Sequence, residues 1–224
     1  MELTVRRITG GNMTKPRISK SRLAQIGELQ QGSHQAPNGD LKACLLEAVA
    51  YVAEEPWSDH PQCVSPVLAA FGRSLNDQLS HAERQRLLPF VPHLVETVAG
   101  RATDLKRAYK LADAAVHVFA PLALRARGYE AQARALEACA EIVDRRTALA
   151  ADAAATWAAG VAARATAHAA DYAAHAADHA ADREASVAAY SAAAAAAAAA
   201  RSADRKRVVD AALEAFAAAI AITE

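Results

Sequence analysis

From Thr147 to Glu224 alanine makes up about half of the residues, and no proline interrupts them. That composition leaves the helix as the favoured secondary structure, because alanine loses no side-chain entropy on entering a helix and proline is the strongest breaker of one. A single helix of more than about 70 residues would be unusual in a globular protein. Turns are therefore expected near Asp182 to Glu184 and near Ser202 to Asp204. The last helix is the clearest, since Val209, Leu213, Phe216 and Ile220 recur at i, i+4, i+7 and i+11. The longest apolar run, Ser191–Ala200, is too short for a bilayer, which takes about 20 residues to cross, and a methyl group buries little area.

Before Thr147 the chain carries ordinary helix punctuation. "DLKACLLEAVAYVAEE" places Leu41, Leu45, Ala48, Val49 and Val52 at helical spacing behind Asp40 as N-cap, and Pro56 ends it. Ser65 followed by Pro66 predicts a second start, because proline at the first helical position loses no hydrogen bond. "SHAE" reads as a capping box of Ser80 with Glu83. Pro89 and Pro92 predict a break before "HLVETVAG". A longer helix is expected from a Thr103 cap to a Gly128 stop, with Leu105, Tyr109, Ala112, Val116 and Phe119 buried and a kink at Pro121. Another starts in "YEAQARALEACAEIVDRR", and no strand pattern competes.

Residues 1–39 hold several Gly and Pro and show no sustained apolar period, so they read as a basic, mostly disordered arm in which "SRLAQIGEL" forms a helical turn or two. The expected organisation is this arm, a helical domain over 40–147, and an alanine-rich helical segment over 148–224 packed on it. Twenty-five Lys and Arg balance 25 Asp and Glu, so no net field steers the molecule to nucleic acid or to an anionic membrane. Nucleic-acid association through the arm or "RSADRKR" (201–207) would be local. Three scattered cysteines and a first segment without an apolar signal core predict reduced thiols and a cytoplasmic location. At 224 residues the chain needs no disulfide or cofactor to explain folding.

Two stretches carry chemistry. In "HAADYAAHAADHAAD" (168–182) a helix gathers His168, Asp171, Tyr172, His175, Asp178, His179 and Asp182 into a sector about 120° wide, opposite a face of alanine alone. His175 and His179, at i and i+4, suit one zinc or iron ion, with Asp178 or Asp182 completing or orienting the site. "HAADH" has the layout of the inverted zinc-protease motif with Asp178 in place of glutamate, one methylene too short for a general base on a metal-bound water. The competing reading is a solvated polar face, and burial of His175 separates the two. On an unbroken helix Trp157, Val161 and Arg164 extend the same stripe.

The second stretch is "EEPWSDHPQCVSP" (54–66), in which His60 and Cys63, with Cys44 and Asp59 or Glu47, have the spacing of a partial zinc site. Cys63 with His60 as base is the nucleophilic alternative. Against both stands a structural reading in which Trp57 anchors the loop and the cysteines are small buried residues.

"CLLEAVAYVAEEPWSDHPQCVSPVLAAFGRSLND" with "LLPFVPHLVETVAG" resembles a family of uncharacterised proteins of actinobacteria and their phages, over about residues 41–128. The resemblance implies a recurring helical module and carries no activity to transfer to Cys44, Asp59, His60 or Cys63. The alanine- and histidine-rich part is similar in composition to segments of bacterial immunity proteins. Together these readings predict an all-α bundle of about seven to nine helices with a closely packed alanine-rich half. The expected function is a non-enzymatic binding or immunity-type protein that meets a protein partner or a second copy through Trp57, Phe71 and the stripe around His175. The alternatives are a metal-binding protein, whose chemistry if catalytic would be hydrolysis, and a nucleic-acid-associated one.

Overall fold

A computed structural model describes residues 18–38, 40–161, 168–181 and 184–223. The molecule is an all-α multi-helix bundle, and the strand-like pairing among the described residues is a single parallel bridge between Leu29 and Ala43. Helices α1 (Lys20–Leu23), α2 (Leu45–Val52), α3 (Pro66–Gln78) and α4 (His81–Arg84) lead through a 3-10 turn (Gln85–Phe90) into α5 (Val91–Leu94). Helix α6 (Arg101–Ala114) runs through a π turn (Ala115–Phe119) into α7 (Ala120–Arg125), followed by α8 (Glu130–Glu137). The alanine-rich part forms α9 (Arg145–Val161), α10 (His168–Ala181), α11 (Ala185–Ser202) and α12 (Arg205–Ile220). No helix among the described residues is long and apolar enough to cross a membrane.

Local signals set most boundaries. Ser65 accepts the Leu68 N–H at the start of α3, with Pro66 in the first turn. Ser80 and Glu83 form the reciprocal box that opens α4. Asp204 accepts the Arg207 N–H and starts α12, so the turn expected between α11 and α12 is in place. Gly128 closes α7 at φ +84°, a conformation costly for residues with a Cβ.

Three expectations give way to tertiary context. Helix α2 begins at Leu45 rather than behind Asp40, because the segment before it is drawn out to pair with the chain at Leu29, where the Gln30 N–H reaches the Ala43 carbonyl at 2.8 Å. The Glu47 carboxylate then takes the Cys44 N–H at 2.8 Å in place of an Asp40 cap. Thr103 lies buried inside α6, which starts from Gly100. Pro121 sits just after the π turn instead of at a simple kink; the wider turn moves away the carbonyl that the ring would strike.

Within the stretch read as an arm, residues 18–38 lie against the body. Leu29 is fully buried, and the Gln85 amide accepts its N–H at 2.8 Å and donates to its carbonyl at 3.0 Å.

Helix α11 occupies the middle of the molecule, packed by α3, α6, α7, α10 and α12. A helix that is apolar all round belongs inside, and Ala188, Ala189, Ala192, Ala193, Ala195, Ala196, Ala198 and Ala199 are all buried. Helix α10 lies between α9 and α11. Below the alanine layer the larger side chains fill the space: Phe216 of α12 meets Phe71 at 5.4 Å and Phe90 at 5.3 Å between ring centroids. Gly72 permits that approach, since a Cβ there would stand 3.0 Å from the Phe216 ring. Buried Arg107 fastens α6 to both halves, donating to the Thr97 carbonyl at 2.7 Å and the Ile222 carbonyl at 2.8 Å.

Candidate functional site

The histidine stripe is divided by the fold. Because α9 and α10 pack side by side, Trp157 belongs to a neighbouring helix and does not continue the stripe, as it would on an unbroken one. On α10 the methyl face is inside, with Ala169, Ala173, Ala174, Ala176, Ala177 and Ala180 buried, and His175 is exposed. The His175 and His179 ring centroids are 6.5 Å apart. His179 Nδ1 lies 2.8 Å from the Glu184 carboxylate, which bridges the turn into α11. Half-buried Asp178 faces Asp152 of α9, a residue outside the sequence-derived set; burial first and then the Asp178 charge push the Asp152 carboxyl up, partly offset by Thr156 and His175. Asp182 and the side chains of His168 and Asp171 lie outside the described residues. Among the described residues no three His, Cys, Asp or Glu side chains group as a metal ion would need.

In the 54–66 loop the reactive groups serve the loop itself. Asp59 accepts from His60 Nδ1 at 2.6 Å, while Arg73 donates to the Asp59 carbonyl at 2.5 Å. Trp57 is half-buried, gives its indole N–H to the His34 carbonyl at 2.9 Å and meets Tyr51 edge-on at 6.2 Å. Cys44 and Cys63 are buried, and burial pushes each thiol up to about 12, with nearby carboxylates of Glu47 and Glu55 adding to the rise. A thiol in that range holds almost no thiolate near neutral pH, which is the opposite of nucleophile activation. His60 is well exposed and lines a cavity of about 460 Å³ with Arg73, Val98 and Ser186.

A further cleft, between α3, α10, α11 and α12, was outside the sequence reading. Its inner chamber, about 260 Å³, is walled by Leu75, Leu79, Val208, Val209 and the methyls of Ala196, Ala197, Ala200 and Ala212. Its outer chamber, also about 260 Å³, is lined by Ser74, Asp77, Tyr172, Tyr190 and Ala194. Gln78 and Arg201 line both. Arg205, at the inner chamber, is held by Glu83 at 2.6 and 2.8 Å, and that bond holds the Glu83 carboxyl down at about 2 despite partial burial. The sequence signal for this cleft was faint: Tyr190 and Arg201 bracket the alanine run, but their meeting with α3 depends on the fold.

The molecule therefore belongs to the class of multi-helix bundles with clefts between alanine-lined helices. Family models, curated proteins and solved structures were compared with the chain, and none matches it.

Proposed function

We propose that this is a non-enzymatic binding protein of interaction or immunity type, meeting its partner through the outer side of the alanine-rich half. The carrying observation is Trp157, 52% exposed on α9, a helix whose inward packing is made by alanine. A large aromatic left in water, on the same helix as Leu149, itself 38% exposed, is the residue type that anchors protein interfaces. Phe71, named as a contact surface from the sequence, is fully buried and belongs to the core instead. The nucleic-acid alternative draws less support from "RSADRKR", since Arg205 is held by Glu83 and Lys206 by Asp210 at 2.8 Å. The metal alternative, built on His175, His179 and Asp178, draws no support from the described residues, where no three His, Cys, Asp or Glu side chains come together as an ion would need.

Solution mass and affinity capture test the proposal. The full chain should self-associate or retain a protein partner, and Trp157→Ala should weaken that association by about 2 kcal/mol or more. Its thermal stability should stay within about 0.5 kcal/mol, as for other surface changes. A strict monomer that retains nothing overturns the reading.

A further inference from the structure

We propose that the cleft between α3, α10, α11 and α12 binds a small amphipathic carboxylate, with its apolar part in the alanine-lined chamber and its acid group on Arg201. The inference goes beyond the protein-interaction reading and does not depend on Trp157.

Size and lining define the apolar end. A chamber of about 260 Å³ stands just under the ~300–1,000 Å³ of drug-sized ligand pockets, which suits a small occupant. Leucine, valine and alanine side chains dominate the wall, so the occupant that gains most there is a short hydrocarbon chain or a single ring.

Charge defines the other end. Three charged side chains bear directly on the cleft. Arg205 is committed to Glu83 through two of its nitrogens. Asp77 accepts the Gly32 N–H at 2.8 Å and the Asn76 amide at 3.0 Å on one oxygen, and its charge is met by the buried Arg84 guanidinium. Arg201 lines both chambers and makes no ion pair among the described residues. Arg201 thus borders an apolar chamber on one side and a polar one on the other, with no carboxylate paired to it among the described residues. Its planar fork matches a carboxylate through two parallel hydrogen bonds. Tyr172 and Tyr190 bring two phenol groups to the same outer chamber, able to donate to the remaining oxygen lone pairs. A neutral alcohol of the same length would fill the inner chamber and leave Arg201 without its counter-charge.

Isothermal titration of the full chain with sodium octanoate, with 1-octanol as the uncharged control, tests the assignment. One saturable site for octanoate is expected, at least about tenfold tighter than for octanol, in keeping with a charge-assisted pair. Arg201→Gln, an exposed change that keeps the helix, should lower octanoate affinity by about tenfold and leave partner association through Trp157 untouched. Ala200→Leu, which narrows the inner chamber with a good helix former, should abolish binding, with circular dichroism confirming the fold. Absence of a saturable site, equal affinity for octanol, or an Arg201→Gln protein that binds as well as the parent would each overturn the proposal.

Discussion

His117, in the π turn, places Nδ1 2.8 Å from the Asp113 carboxylate and Nε2 3.1 Å from the Cys139 carbonyl. Both partners are pure acceptors, so only the doubly protonated ring satisfies them together. The hydrogen bond that His117 donates to Asp113 raises the His117 pKa, against the opposing effect of burial. Burial raises Asp113, yet hydrogen bonds from His117 and the Ile142 N–H, with Lys110 nearby, outweigh it and hold the carboxyl below its usual range. The linkage has opposite signs at the two groups. The raised histidine contributes stability that is full below its ordinary 6.5 and is lost as pH rises through the higher folded value. The lowered aspartate contributes above its ordinary 3.8, and that part is lost as pH falls through the lower folded value. Asp113→Asn should therefore lower the thermal midpoint most between the ordinary aspartate value of 3.8 and the ordinary histidine value of 6.5, and by progressively less as pH rises through the raised His117 value, as read by melting over a pH series. An unchanged difference across that range would show that the pair is not ionised in the fold. In the sequence His117 has no partner pattern and reads as an ordinary histidine; its pairing with Asp113 was missed although the two stand at i and i+4, and the Cys139 carbonyl reaches it only through the packing of the segment after α8.

At the scale of elements, capping chemistry was legible because it is local: Ser65, Ser80 and Asp204 each act within three residues of themselves. The start of α2 was not legible, since the pull of the Leu29 strand-like pairing comes from outside the window in which Asp40 looks like a cap. Tyr172 was read as part of the polar stripe, whereas it is half-buried against the core, in a cleft whose company comes from α3 and α11, at distances in sequence that no periodicity reports. The inward role of the all-alanine run was half legible: composition gives the helix, and only the number of helices packed around α11 gives its central place. Methyl-to-methyl spacing leaves no slack there. Ala192→Leu, at a fully buried position, should cost about 1–3 kcal/mol in denaturant melts even though leucine favours helices nearly as well as alanine. A neutral result would mean that α11 has room to shift.

At the scale of the whole molecule, one continuous core runs from Leu29 to Ala219, and α12 contacts α3, α6 and α11. Ion pairs tie the same helix to the first half, with Arg86 meeting Asp210 at 2.7 Å. Phe216→Ala should accordingly cost about 3–5 kcal/mol, and far-ultraviolet and Trp57 fluorescence signals should fall in one coincident transition. Two separated transitions would mean that 40–147 and the alanine-rich part unfold as independent units. The aromatic trio has a bearing on biosynthesis. Phe71 and Phe90 leave the ribosome more than a hundred residues before the ring that seals the gap between them. A nascent chain of this protein would carry an unfinished interior until translation has passed α12, and then close it all at once.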